Sequence, residues 1–186
     1  MSRLLKQQIV GKHVRQLRNQ LDLSLRELAS RAGFSPSLLS QLENGLVSPS
    51  IHSMEKIAAV LGVTLGAFFA GVDKGEGPLV TRVNDRGHLT SAWSKAEIET
   101  LSTTSSPQPF EPLLITLHPG GQSSKHPVPH PKDEFALVLK GRVTLRLGPD
   151  EYRLGRGDSV ILRPRELRLW TNAGKVDCCF LVVARA

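Results

Sequence analysis

The stretch Ser35-Pro36-Ser37-Leu38-Leu39-Ser40-Gln41-Leu42-Glu43-Asn44-Gly45 predicts a short helix with two unlike faces. Ser35 is a suitable N-cap, because its hydroxyl can accept a backbone N–H that the first helical turn leaves orphaned. Pro36 suits the first helical position, where no donor is needed. Gly45 can end the helix in a left-handed conformation. At 3.6 residues per turn, Leu39, Leu42 and Leu46 fall on one side with Leu38 at its margin. The other side carries Ser37, Ser40, Gln41 and Asn44, which are short, neutral and rich in donors and acceptors. Such groups meet base edges and phosphate oxygens. Taken alone, the same pattern also describes an ordinary surface helix.

The preceding stretch, Leu23-Ser24-Leu25-Arg26-Glu27-Leu28-Ala29-Ser30-Arg31-Ala32-Gly33, gives this helix a partner. Ser24 and Glu27 have the spacing of a capping box, so a helix starts there. Leu25, Leu28 and Ala29 form its apolar stripe, and Ala29 is small enough to admit a second helix closely. Gly33 breaks it. Two short helices joined by a glycine-containing turn of about three residues make a helix-turn-helix, whose second helix enters the major groove.

Residues from about 9 to 69 resemble the XRE-type, or phage-repressor-like, DNA-binding domain. The matching residues are Leu28-Ala29, Gly33-Phe34-Ser35, Leu39-Ser40, Leu42-Glu43-Asn44-Gly45 and Pro49-Ser50. The resemblance implies five helices and an internal ion pair between Arg18, at the end of helix one, and Glu43 of the recognition helix. It implies DNA contacts from Ser37, Ser40 and Gln41 to bases, and from Ser24, Ser35, Pro36, Asn44 and Arg15 at or near the phosphate backbone. A solvated Arg15 is the equal alternative. Leu25 departs from the family, which often has a phosphate-holding glutamine there, so that contact is expected to be missing.

The remaining helices follow from spacing. Helix one is expected from residue 4 or 9 to 19, with Ile9, Val10, Val14 and Leu17 as its stripe. Helix four follows Ser50, with Ile51, Met54, Ile57, Ala58 and Leu61 at helical spacing, and Gly62 ends it. Thr64 can cap a fifth helix over 65–69. His13 and His52 read as surface or boundary residues without chemistry.

Composition bounds the rest. The chain has 186 residues and 40% hydrophobic content, enough for one large domain or two small ones. It lacks both an apolar run of the roughly 20 residues a membrane span requires and the apolar core of a signal peptide. The two cysteines, Cys178 and Cys179, are adjacent and point to no disulfide framework, so a cytoplasmic protein is expected. Net charge is +7. Residues 1–70 carry eight Lys/Arg against four Asp/Glu, a balance that suits phosphate binding.

The expected organisation is a helix-turn-helix domain over 1–70, a linker rich in glycine and charge over 71–78, and a second domain over 79–186. In that second region the period changes from 3.6 to two. Strands are expected at 79–83, 96–101, 112–117, 134–139, 143–147, 151–154, 159–162, 167–170 and 178–183, with a Ser/Thr/Pro-rich loop over 102–109. Many short strands separated by turns predict a β-sandwich or barrel. On the last strand, one of Cys178 and Cys179 must face in and the other out. Trp170 and Phe135 are expected to line a pocket or fill the core, and Arg142, Arg146, Arg163 and Arg165 to be solvated.

Residues 120–172 resemble a cupin, a jelly-roll barrel with a central pocket. The resemblance lies in Gly120-Gly121, His130, Glu134 and Gly141, and then in Gly157-Asp158, Pro164 and Asn172. Three histidines and a glutamate on adjacent strands suit a first-row transition metal. Here the first histidine position is Val128 and the last is Arg168, so two of four ligands remain, His130 and Glu134. A guanidinium cannot ligate a metal. A divalent transition metal is therefore disfavoured, with His126, His130 and Glu134 as the alternative ligand set. Arg168 would instead bind a carboxylate or phosphate, assisted by His130. Glu134 would hold Arg168 when the pocket is empty. A structural Arg168–Glu134 pair is the competing reading.

The fold expected is therefore α then all-β: a five-helix repressor-like domain followed by a cupin jelly-roll barrel. The function expected is a DNA-binding transcriptional regulator, not an enzyme, working as a homodimer on a double-stranded operator. His130, Glu134 and Arg168 would bind a small, carboxylate-bearing effector. The alternatives are a metal-dependent cupin enzyme carrying a DNA-binding module, and a pure interaction protein of the antitoxin type.

Overall fold

The computed structural model describes residues 3–63, 80–102 and 109–185, with side chains from residue 10 onward. Four helices lie in the first segment: α1 (Arg3–Gln20), α2 (Leu25–Ala32), α3 (Pro36–Glu43) and α4 (Ile51–Val60). The expected fifth helix over 65–69 and the linker over 71–78 lie outside the described residues.

The caps form as the side chains dictate. The Ser24 hydroxyl accepts from the Glu27 N–H at 3.2 Å, and the Glu27 carboxylate accepts from the Ser24 N–H at 2.7 Å. Those two bonds hold the Glu27 carboxyl below its usual range. Gly33 then takes φ 72°, the left-handed position that closes α2. Ser35 and Ser50 cap α3 and α4 by accepting from the Leu38 and Ser53 N–H groups. Val14, Leu28, Ala29, Leu39, Leu42, Met54 and Ile57 close the helical core. Leu46 does not join them and is 73% exposed. The helix stops at Glu43 and Gly45 has φ 69°, so Leu46 leaves the helical phase that would have turned it inward.

The β region forms two antiparallel sheets. One has six strands in the order β1 (Gly87–Ser91), β2 (Ala96–Thr100), β3 (Phe110–Leu117), β10 (Cys178–Arg185), β5 (Glu134–Lys140), β8 (Ser159–Leu162). The other has four, in the order β4 (Val128–Pro129), β9 (Leu167–Thr171), β6 (Arg142–Leu147), β7 (Asp150–Gly155). The expected barrel is thus corrected: among the described residues no strand pairing joins the two sheets, and the architecture is two facing sheets with one core. Ile115, Val138, Phe180 and Val182 of the first sheet meet Val143, Leu145 and Trp170 of the second. Trp170 stacks on Phe180 across the core, ring centroids 4.7 Å apart.

The strand expected at 79–83 is also corrected. Residues 80–82 are irregular and Val83–Asp85 is a 3-10 turn, with Val80 and Val83 exposed. β1 begins instead at Gly87, in a segment with one leucine and no clear alternation, while β4 is only Val128–Pro129, in a stretch where every second residue is proline. Both are strands because a partner supplies the hydrogen-bond ladder, not because of side-chain pattern. Phe135 faces outward and is exposed, so it does not fill the core. Cys178 is buried and Cys179 half-buried, and burial pushes the Cys178 thiol up to about 11. Arg142, Arg146, Arg163 and Arg165 are exposed.

Among the described residues the helices meet the sheets along several seams, α1 against β1 among them. The Ser91 hydroxyl donates to the Pro49 carbonyl at 2.7 Å, and the Ala92 N–H donates to the Ser48 hydroxyl at 3.1 Å. These bonds tie the β1–β2 turn to the α3–α4 turn. Separately, α4 lies across one open end of the β region, bringing Glu55 beside His130. No helix among the described residues is long and apolar enough to cross a membrane.

Candidate functional site

Two regions gather the chemistry. The first is the outer face of α3. Ser35, Pro36, Ser37, Gln41 and Asn44 are exposed and Ser40 is half-buried. The Ser24 and Ser35 hydroxyls accept their capping bonds, which leaves each O–H proton for an outside acceptor. Asn44 is committed on one side, its amide donating to the Ser40 carbonyl at 2.9 Å. Its second amide N–H and its carbonyl oxygen remain for solvent or ligand.

α3 is held from behind by Glu43. Its carboxylate accepts from Arg18 Nε at 2.6 Å and Nη2 at 3.0 Å, and from Arg15 Nε at 3.2 Å. The third Arg18 nitrogen donates to the Leu23 carbonyl at 2.8 Å, so this one side chain ties α1 to the start of α2 and to α3. The bond to Glu43 raises the Arg18 pKa further. Arg15 is thereby half committed to Glu43, yet its side chain is 52% exposed and presents its remaining donors at the surface.

The second region lies between the facing sheets under α4. Arg168 of β9 and Glu134 of β5 come from different sheets and meet inside, Nη2 to Oε2 at 2.5 Å. Both are buried. His130 Nδ1 stands 3.1 Å from the other Glu134 oxygen, and His130 Nε2 stands 3.9 Å from Glu55 of α4. These residues line a cavity of about 50 Å³ together with Ile51, His52 and Val128. Arg168 Nη1 is buried with no hydrogen-bond partner among the described residues. Burial pushes the Glu134 carboxyl up to about 7, with Arg168 pulling it back down and Glu55 pushing it up. Burial and the Arg168 charge lower the His130 pKa, against the pull of Glu55.

A transition metal does not fit here. Val128 offers no donor, and the Arg168 cation occupies the remaining ligand position and holds Glu134. His126, the possible substitute ligand, is exposed and is not among the cavity's lining residues. Among the described residues no group of three or more His, Cys, Asp or Glu side chains is placed to hold a metal ion.

Comparison with known proteins agrees with this anatomy. Residues 14–68 match the helix-turn-helix family and residues 113–184 the cupin domain family. The chain thus carries an XRE-type helix-turn-helix domain followed by a cupin domain. It is 28% identical over 168 residues to the HTH-type transcriptional regulator PuuR of Escherichia coli K12, covering 90% of each chain. A crystal structure of an HTH_3 family transcriptional regulator from Vibrio cholerae superposes with TM-score 0.76 at 22% identity, over 100% of this chain and 99% of that one. The fold alone is also similar to hydroxypropylphosphonic acid epoxidase from S. wedmorenis, with TM-score 0.50 at 23% identity, over 96% and 98% of the two chains. The regulator family implies a DNA partner.

Within this family frame, Arg18, Glu43, His130, Glu134 and Arg168 were legible in the sequence, and the structure brings each set together. Glu55, Ser48 and Ser91 were not. Glu55 sits on the polar side of an amphipathic helix and looks like a solvated charge, and only the docking of α4 on the sheets gives it neighbours.

Proposed function

We propose that this regulator reads DNA with the outer face of α3 and responds to a small carboxylate held in the cupin half. Ser37, Ser40 and Gln41 read base edges in the major groove. Ser24, Ser35, Asn44 and Arg15 hold phosphates, while Pro36 sets the start of α3 at the groove wall. Two copies act together on a two-fold-related pair of half-sites, which is how this motif gains site length.

The observation that carries the effector reading is Arg168 Nη1, buried and unpartnered beside a cavity. A buried guanidinium N–H without a partner is costly, and a carboxylate is the group whose geometry and charge satisfy it. Glu134 occupies the other Arg168 nitrogen and so holds the guanidinium in place. His130 adds a second donor when protonated.

The test is native mass spectrometry of gently purified protein, with elemental analysis of the same sample. A dimer carrying an organic acid and no transition metal supports the reading. One transition metal per chain overturns it and restores a metal-dependent activity as the question to assay.

A further inference from the structure

We propose that the ligand site of the cupin half is completed by the DNA-binding half: Glu55 of α4 is the wall facing Arg168, and a bound carboxylate carrying a donor group at its far end engages both. This rests on the reading of the cupin half as an effector site.

The geometry runs as a chain of contacts. Arg168 meets Glu134, Glu134 meets His130 Nδ1, and His130 Nε2 faces Glu55. His130 thus links the inner ion pair to the α4 carboxylate, and all four side chains line one cavity. The small cavity around Arg168 adjoins a larger cleft of about 410 Å³, with which it shares His52, Glu55, Leu113, Pro129, His130 and Glu134 as lining. A ligand with its carboxylate on Arg168 Nη1 and a tail toward the cleft must pass Glu55. Glu55 is an acceptor only, so it selects a tail bearing a hydroxyl or ammonium group. The matching class is a short hydroxy or amino acid, not a plain fatty acid.

The helices cannot stay indifferent to such a ligand. The α3–α4 turn is pinned to the β1–β2 turn through Ser48, Pro49, Ser91 and Ala92. Glu55 lies one turn into α4 from that anchor. A ligand bridging Arg168 and Glu55 adds a second tie between the halves and favours one seating of α3 over others. By linkage, operator binding that changes the seating changes ligand affinity by the same factor.

The experiment is a titration of the full chain with propionate and with 3-hydroxypropionate, followed by amide NMR shifts. These probes share the carboxylate and differ in the donor. The expected result is about tenfold tighter binding of 3-hydroxypropionate, the order of one hydrogen bond to a charged group, with shifts on both β5 and α4. Glu55→Ala, at a side chain 29% exposed, should bring the two affinities together while propionate binding persists. Joint replacement Arg168→Met with Glu134→Gln, which leaves no lone buried charge, should abolish both. If both acids bind and Glu55→Ala leaves their ratio unchanged, the site belongs to the cupin half alone and the proposal fails while the effector reading stands. If neither acid binds saturably, both fail. Should the double variant not fold, the Glu55→Ala ratio decides by itself.

Discussion

Arg18 and Glu43 lock α1 to α3 through two hydrogen bonds of 2.6 and 3.0 Å, with Glu43 only 2% exposed. Removing one member of a buried pair strands the other's charge. Glu43→Ala should cost about 3–5 kcal/mol, measured by urea unfolding. Arg15→Ala, which removes the half-exposed member of the same cluster, should cost about 0–1 kcal/mol. A similar loss from both would mean that burial is not what makes the pair matter.

On DNA the two ends of the polar face should separate. Gln41→Ala should relax base preference at one position by about 1–3 kcal/mol and leave non-specific binding nearly intact. Arg15→Ala should weaken every sequence alike and reduce the slope of log affinity against log salt by about one. Binding titrations on a selected site and a scrambled duplex at several salt concentrations check both. Equal losses on the two duplexes for Gln41→Ala would remove it from base reading.

Two glycines of the helical half should respond to alanine for different reasons. A Cβ on Gly11 would stand 2.3 Å from the Leu42 carbonyl oxygen and 2.6 Å from that of Glu43. Backbone cannot yield as a side-chain tip does, so α1 and α3 must separate, at about 1–3 kcal/mol, and DNA affinity should fall with stability. Gly33 has open space around it but a φ of 72°, so Gly33→Ala should cost about 1 kcal/mol through backbone strain alone. Thermal melts paired with DNA titration distinguish the two. Unchanged DNA binding per folded molecule in Gly11→Ala would show that the seat of α3 tolerates the shift.

Acidity in the pocket has a definite sign. The folded Glu134 carboxyl titrates near 7 against 4.5 for the free group. The native state therefore holds this proton more tightly, and the stability it contributes is present below 4.5 and lost as pH rises toward 7. His130 is shifted the other way, so its contribution is lost as pH falls below its ordinary 6.5. Arg168, Glu55 and Glu111 also face Glu134 electrostatically. Because His130 Nδ1 lies 3.1 Å from Glu134, comparing wild type with Glu134→Gln reports the carboxyl together with its coupling to His130. The stability of wild type relative to the variant should fall by about 2–4 kcal/mol between pH 4.5 and 7.5. A pH-independent difference would mean that Arg168 outweighs burial and keeps Glu134 ionised throughout.

Much of the helical half can be read locally because its signals are local. Capping boxes, a proline at the first helical position and apolar residues at 3.6 spacing act within a turn or two, and α2, α3 and α4 start at the capped positions. The strands with clear apolar alternation were equally legible. β1, β4 and the false strand near Val80 were not, because a ladder depends on a partner that local pattern does not name. Leu46 shows the same limit at short range: one left-handed glycine rotates a predicted core residue into solvent.

The amino-acid sequence by itself determined the helix-turn-helix, because caps and apolar spacing are local; its resemblance to known families implied the Arg18–Glu43 lock and the replacement of two cupin ligand positions by Val128 and Arg168. Tertiary structure alone decided that the sheets stay separate, that Phe135 faces outward and that Arg15 shares Glu43. It also decided that Glu55 stands over the pocket. Those outcomes depend on which surfaces meet across long sequence separations, where a side chain's partner is set by packing and burial rather than by its neighbours along the chain.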